Sequence, residues 1–429
     1  MKKYFVFFLF ISFISKAQKI TLEEAIQTAL KNNYDIQIIQ NSNKIAQLNN
    51  FTGNTGKLPR VNLLINDNYQ LFGINQLLAN GTETNRNGAT SNNLNATVRA
   101  DWLIFNGFRG TSTEKRLDLQ ESNSQLNLKS QNQQITASVT VAYVEIIRQK
   151  QIKKVLQSSL EVSEKRLEIV KKRAELGTAN QTDIYLADLD INTQRQAVFS
   201  QDLAIKQAKV NLNILMGKKA EDEIEVVDDI TFQKDISIEK LRQNLKNSPQ
   251  IKAIQNNIEV NKNLEQEAGA GRLPTFNLNA GYTYTRNNST AGFLLLNQNY
   301  GPFVGFNFTL PLYNGNINNR QLEIAKTQTK TQELELARVE QNLQGELERQ
   351  WQAYLLASEQ AKAEEKNAQT AQEYLKLMQK RFELGQSNII EIREAQRVTE
   401  NTEGRKIQSL FSLKVAEIQL LLAAGMLGE

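Results

Sequence analysis

The chain contains no cysteine and no histidine. Without cysteine it can form no disulfide, no thiolate metal site and no lipid-modified N-terminal cysteine. Without histidine it lacks the most common general base, and the two absences together remove the most common nucleophile and zinc ligands. The remaining residues offer no candidate pair of nucleophile and base. The sequence therefore predicts a protein that is not an enzyme, with no catalytic, cofactor-binding or metal site.

The sequence also has only a small excess of positive over negative charge, because the formal net charge of the full sequence is +5. The first residues, MKKYFVFFLFISFISKA, have the layout of a secretory signal peptide, with an apolar run from Tyr4 to Ile14 and small residues at Ser15 and Ala17. That run is well short of the roughly 20 residues of a membrane-spanning helix, so residues 1–17 are predicted to be a cleaved signal rather than an anchor. Removing them leaves a net charge of about +2, which is too small to indicate a nucleic-acid partner.

The sequence repeats itself once. The phrase RAELGTANQTDIY at Arg173–Tyr185 returns as RFELGQSNIIEIR at Arg381–Arg393. Other phrases return in the same order: GKLPRVNL at Gly56 as GRLPTFNL at Gly271, and FNGFRG at Phe105 as YNGNIN at Tyr313. A period of about 208 residues is too long for a solenoid. We therefore predict two copies of one unit, at 18–217 and 236–429, joined by an acidic linker at 218–235.

Each copy contains two runs in which apolar and polar residues alternate, as expected of β-strands. The runs lie at about 59–72 and 92–105 in the first copy, and at about 274–286 and 302–313 in the second. Their length is close to the 9 to 11 residues of a tilted transmembrane strand. A half-buried sheet of a soluble protein has the same alternation and is the alternative. Four strands are too few to close a barrel in lipid, whereas three chains would contribute twelve.

Proline is rare, and none interrupts the chain from about Phe108 to Leu176 or from about Asn316 to Leu384. At about 1.5 Å per residue each stretch predicts a helix close to 100 Å long. Apolar heptad positions at Ile135, Ala142, Leu156 and Val170, and at Val139, Ile146, Leu160, Leu167 and Ala174, predict a coiled-coil seam in the first copy. A returning helix follows each long one.

Together, the signal peptide, the duplicated unit, the KLP and RLP strand starts, the FNG and YNG corners and the paired ELG phrases resemble the TolC-like outer-membrane efflux protein family. The resemblance covers essentially the whole mature chain. It implies an all-α coiled-coil tunnel in the periplasm plus a membrane β-barrel, built by a homotrimer with four strands per protomer in a 12-stranded barrel.

The resemblance also implies a function: a passive outer-membrane exit duct of a tripartite efflux or type I secretion system. Its partners would be a periplasmic adaptor (a membrane fusion protein), through it an inner-membrane pump, and outer-membrane lipid. Drug, metal and protein export all remain open. The alternative is a structural coiled-coil protein of the cell envelope without a pore, which the four alternating runs disfavour.

The resemblance assigns roles to particular residues. Glu391 and Glu394 match the acidic positions that line the tunnel constriction, and their spacing puts them on one helix face. Acids are also favoured at any helix N-terminus, which is the alternative for this pair. Asp183 matches an acid that holds the closed tips together, but the usual basic partner falls at Ser387, and Phe382 stands where a tyrosine is common. We therefore expect a gate held by different or fewer polar links.

The ELG phrases are expected to be the far tips of the long helices. Gly177 and Gly385 would take the left-handed conformation that ends a helix. Leu176 and Leu384 would sit exposed at those turns, and the resemblance makes all four residues the docking tips for the adaptor. A simple staple between two helices is the alternative.

Overall fold

This computed structural model of the protein describes residues 19–228, 231–233, 236–291 and 294–427. The predicted signal peptide lies outside them. The chain forms two compact units. The helical unit takes its described residues from Met1–Asn41, Leu126–Ile251 and Val339–Glu429, and the sheet unit from Ser42–Gln125 and Lys252–Arg338.

Helices dominate the structure. They are α1 (Leu22–Asn32), α2 (Tyr34–Asn49), α3 (Arg109–Glu175), α4 (Gln181–Leu215), α5 (Ile238–Leu245), α6 (Pro249–Gly269), α7 (Ile317–Glu383) and α8 (Ile389–Ala423). The strands are β1 (Lys19–Ile20), β2 (Arg60–Leu77), β3 (Glu83–Phe105), β4 (Glu225–Val226), β5 (Thr275–Ser289) and β6 (Leu296–Thr309). Across the described parts of the chain, none of the helices has a stretch long and apolar enough to cross a membrane.

The structure confirms the internal duplication. Helices α3 and α7 are each 67 residues long, and α4 and α8 are each 35. Glycines with positive φ recur at matching positions: Gly107 and Gly315, Gly177 and Gly385, and Gly217 and Gly425. A left-handed residue is disfavoured for any side chain with a Cβ, so the same corners are built in both copies with the same residue type.

In the helical unit, a core forms around Tyr143, whose side chain is 2% exposed. Its hydroxyl donates to the carbonyl of Ile20 at 2.9 Å and accepts from the amide of Val227 at 3.0 Å. These bonds hold the two-residue parallel pair of β1 and β4. The predicted linker 218–235 thus contains a strand, which is too short for any alternation to reveal.

The predicted heptad seam of α3 is only partly right. Ile135, Val139, Ile146 and Val170 are buried as expected. Between them, however, Leu160 and Leu167 are only half-buried, and Ser159, Ser163 and Arg166 are buried instead. The reason is that α3 meets polar side chains of α8 at this level, where Gln396 donates to Ser159 and Ser163.

The sheet unit carries one antiparallel sheet in the order β2-β3-β5-β6. The strands differ in length from the predicted runs. The β2–β3 hairpin continues to Leu77 and Glu83, through residues that show no regular alternation of apolar and polar side chains. Strand β6 begins at Leu296 and ends at Thr309, before the expected end at 313, because Pro311 cannot donate to a strand ladder.

The register of the sheet separates an apolar face from a polar face. Residues paired directly across strands share a face. The apolar rows are Val61–Ala100–Ala280–Val304, Leu63–Val98–Tyr282–Pro302 and Ile65–Ala96–Tyr284–Tyr300. The intervening rows include Asn66–Asn95–Thr285–Asn299 and Asn68–Asn93–Asn287–Asn297. The alternation read from the sequence therefore holds in most rows of the four strands. The exceptions include the row Asp67–Leu94–Arg286–Gln298 on the apolar face, and Leu64 and Phe303 on the polar face.

Candidate functional site

Each long helix ends in a tight glycine turn. Gly177 has φ +76° and Gly385 has φ +74°. At the first turn, Thr178 N donates to Arg173 O at 2.8 Å, and Gly177 N donates to Ala174 O at 3.0 Å. At the second turn, Gln386 N donates to Arg381 O at 2.8 Å, and Gly385 N donates to Phe382 O at 3.1 Å. This pair of bonds is the Schellman motif, which satisfies carbonyls at a helix C-terminus and turns the chain back.

The leucine before each glycine lies on the surface. Leu176 is 78% exposed and Leu384 is 72% exposed. Neither side chain therefore serves the turn by packing within the protomer. An exposed large apolar side chain at the end of a helical hairpin is available for contact with another molecule.

The acids that follow the turns cap the returning helices. Glu391 accepts from the amide of Asn388 at 3.2 Å, and Glu391 N donates to the Asn388 side chain at 2.9 Å. Asp183 and Asn180 form the same reciprocal pair, at 3.1 and 3.0 Å. These capping boxes place both carboxylates in the first turn of a helix. This position agrees with the alternative explanation, in which the helix dipole favours acids at a helix N-terminus.

Glu394 lies one turn further along α8 and is paired with a cation. Arg397 Nη2 lies 2.6 Å from Glu394 Oε1, and both side chains are more than half exposed. The hydrogen bond from Arg397 lowers the pKa of the Glu394 carboxyl. The carboxylate therefore stays ionised at neutral pH, with a nearby positive charge that partly compensates it.

The structure does not join the three predicted gate residues to one another. Within the described part of the chain, Asp183 bonds to Asn180 and not to Phe382 or Ser387. Phe382 is 1% exposed and belongs to a small core with Val170, Ala187, Ile389 and Ile392. The hydroxyl oxygen of Ser387 is buried without a hydrogen-bond partner among the described residues.

Arg173 ties the two tips together at Phe382. Its guanidinium lies over the Phe382 ring, 4.4 Å from the centroid, and donates to the Phe382 carbonyl. The contact joins the last turn of α3 to the last turn of α7. It therefore links the turn of the first copy to the turn of the second.

A buried ion cluster that the sequence analysis missed lies two turns above this contact. The Arg166 side chain on α3 is 2% exposed, and its Nη2 donates to Asp190 Oδ2 on α4 at 2.6 Å. Arg393 Nε on α8 lies 2.9 Å from the same oxygen. Arg166 Nη1 donates to Gln396 Oε1 at 2.9 Å. One carboxylate oxygen thus connects helices of the two copies.

The cluster carries two positive charges and one negative charge. Burial lowers the pKa of the Arg166 guanidinium, the Asp190 carboxylate opposes that effect, and Arg393 adds to it. Arginine nevertheless remains protonated at any working pH. Two cations therefore share one anion, and removing the anion would leave the buried Arg166 without a counter-charge beside the partly exposed Arg393.

The cluster borders a cleft of about 450 Å³. Glu394 and Arg397 line the same cleft. A comparison of the two copies could have revealed the cluster, because the positions equivalent to Arg166 and Asp190 are Tyr374 and Val398, which carry no charge. A charged residue that is present in only one copy of a duplicated unit therefore indicates a candidate ion pair, which the heptad pattern alone does not reveal.

The chain belongs to the outer membrane efflux protein family. The profile of that family matches residues 25–218 and 241–426, one match in each copy. Members of this family are outer-membrane exit ducts for efflux systems rather than enzymes, and they work with adaptors and pumps in tripartite systems. No curated protein sequence matches the chain.

Solved outer-membrane channels share the fold. The Campylobacter jejuni channel CmeC is 14% identical with a TM-score of 0.78, covering 94% of this chain and 85% of that one. The Vibrio cholerae outer membrane protein VceC is 16% identical with a TM-score of 0.77, covering 94% and 96%. The open state of the Neisseria gonorrhoeae channel MtrE is 16% identical with a TM-score of 0.72, covering 94% and 89%.

Proposed function

We propose that three copies of this chain form a passive duct that an inner-membrane pump and its adaptor use to export substrate through the outer membrane. The observation that carries the proposal is the two-faced sheet. Its apolar face is exposed in one chain: Val61 is 67%, Phe306 is 70% and Val304 is 75% exposed. Among the described residues, the outer strands β2 and β6 each pair on one side only. Pairing β2 of one protomer with β6 of the next closes twelve strands into a barrel with lipid outside.

The exposed leucines at the glycine turns, Leu176 and Leu384, are the docking contacts for the adaptor. Gly177 and Gly385 keep the turns tight enough to present them. Because Arg173 joins the turns through Phe382, the adaptor meets both turns of a protomer as one surface.

The carboxylates of Glu391 and Glu394 form the narrowest part of the duct. In a trimer the pair becomes six carboxylates around the axis, which favours cations and repels anions. The pairing of Glu394 with Arg397 reduces the field of the ring, so Glu391 contributes the larger share.

The resting gate is held by Asp190. This chain has Ser387 where the resembled family has a basic partner, and Asp183 is occupied by its helix cap. Asp190 supplies a different tie, because it binds Arg166 and Arg393 at once and so fastens α8 to α3 and α4. Movement of α8 away from α3 and α4 requires these bonds to break.

The barrel is tested by placing one charge on either face of β2. Ile65→Arg puts a guanidinium in the middle row of the apolar face, and an arginine at the bilayer midplane costs about 2–4 kcal/mol. Asn66→Arg is the matched control, because the next residue points to the polar face. We expect native mass spectrometry of outer-membrane extracts to show trimers for the wild type and Asn66→Arg, and strongly reduced trimer for Ile65→Arg. Equal trimer yield for both variants, or a wild-type monomer, would contradict the barrel.

A further inference from the structure

The polar face of the sheet is lined mainly by amides and hydroxyls. In its four-stranded part the asparagines are Asn62, Asn66, Asn68, Asn93, Asn95, Asn277, Asn279, Asn287, Asn297, Asn299 and Asn307. The hydroxyls of Thr97 and Thr283 lie 2.9 Å apart, and Ser91 donates to Asn287 at 3.1 Å. Amides both donate and accept, so such a surface satisfies itself without charge.

The charged side chains on this face are Arg60, Arg99 and Asp101, at the end of the sheet where β2 begins and β3 runs toward α3. Arg99 Nε donates to Asp101 Oδ1 at 2.6 Å, which neutralises that pair. Arg60 is the register partner of Asp101 on the neighbouring strand, yet it makes no ion pair among the described residues. The local charge is therefore one unpaired guanidinium per protomer.

We propose that Arg60 determines the charge preference of the barrel. The inference rests on the trimeric barrel proposed above, in which three Arg60 side chains form a positive ring at the end of the barrel that meets the helices. Every other row on this face of the four-stranded part is uncharged, so no second group there competes with this ring. The ring favours anions, which is the opposite of the preference set by Glu391 and Glu394.

The reach of this ring depends on salt. Twelve strands spaced about 4.8 Å apart and tilted by about 40° give a barrel of roughly 12 Å radius. The Debye length is about 8 Å at physiological ionic strength and about 30 Å at 0.01 M. The ring is therefore partly screened across the lumen at physiological salt and unscreened in dilute salt. Anionic substrates passing close to the wall feel it under both conditions.

The test measures reversal potentials across a gradient of dilute KCl, in a Glu391→Gln/Glu394→Gln background that removes the narrower acidic ring. In that background we expect chloride to be preferred over potassium by roughly twofold. Adding Arg60→Gln to this background should bring the chloride-to-potassium permeability ratio to about one. Adding Asp101→Asn instead, which frees Arg99, should raise the ratio above that of the background. Raising the salt to 1 M should erase the differences, because the Debye length then falls to about 3 Å.

Arg286→Gln is the matched control, because Arg286 is an exposed arginine of β5 on the opposite face. It should leave the ratio unchanged. A ratio that does not follow the charge series, or that responds equally to Arg286→Gln, would overturn the role of Arg60 while leaving the duct intact. No conductance from correctly assembled trimers of the background variant would instead contradict the duct itself.

Discussion

Asp190→Asn is expected to open the resting channel and to lower the free energy of unfolding by about 3 kcal/mol. The substitution keeps the size of the side chain and removes its charge. Arg166, which is 2% exposed, then faces Arg393 without a carboxylate between them. Breaking a buried ion pair costs more than an exposed one because the remaining charge cannot return to water.

Single-channel recording in planar bilayers should show a rise of at least about tenfold in the open probability of Asp190→Asn. The reason is that each 1.4 kcal/mol by which the closed state is destabilised changes the equilibrium constant between closed and open states about tenfold. Glu164→Gln is the control. It removes the exposed pair of Glu164 with Arg195, which joins α3 to α4 within the first copy and is worth little. Should Asp190→Asn fail to assemble, Arg393→Gln loosens α8 while keeping Arg166 paired. A closed state unchanged in Arg393→Gln would refute the tie.

Phe382→Ala should have the second large effect, a loss of about 3–5 kcal/mol in the stability of the tips. The ring is 1% exposed, fills the core shared by α3, α4, α7 and α8, and carries the Arg173 guanidinium on its face. Its removal leaves a cavity and also releases the contact that joins the two turns.

Thermal unfolding followed by circular dichroism, with limited proteolysis at the turns, measures this loss. Leu384→Ala is the matched control, because it removes an apolar side chain two residues away that is 72% exposed. Leu384→Ala should unfold like the wild type and yet bind adaptor hairpins more weakly. Equal destabilisation by both substitutions would show that Phe382 is not a core residue of the tips.

The parts of the fold that follow a period were predictable from the sequence. The lengths of α3 and α7 follow from the absence of proline, and the faces of the four strands follow from alternation. The family match confirms the resemblance that the repeated phrases indicated. The ends of β2 and β3 were missed because the residues that extend their hairpin show no regular alternation of apolar and polar side chains.

The ion cluster was not predictable from a single heptad pattern. Arg166, Asp190 and Arg393 come from three helices, and only tertiary packing brings them together. The burial of Phe382 likewise depends on the meeting of four helices at the turns. The roles of Glu391 and Glu394 at an aperture are predictions that follow from the resemblance; in the single chain Glu391 caps α8 and Glu394 pairs with Arg397.

The central claim is that the trimer is a passive duct whose narrowest point is the ring of Glu391 and Glu394. The most direct test is the conductance of the purified trimer in planar bilayers, wild type beside Glu391→Gln/Glu394→Gln, with a trivalent cation added on the side of the helix tips. The account predicts a small, cation-selective conductance that the added cation blocks in the wild type and not in the double variant. Well-folded trimers that conduct nothing would contradict the duct, and a block that survives the double substitution would place the constriction elsewhere.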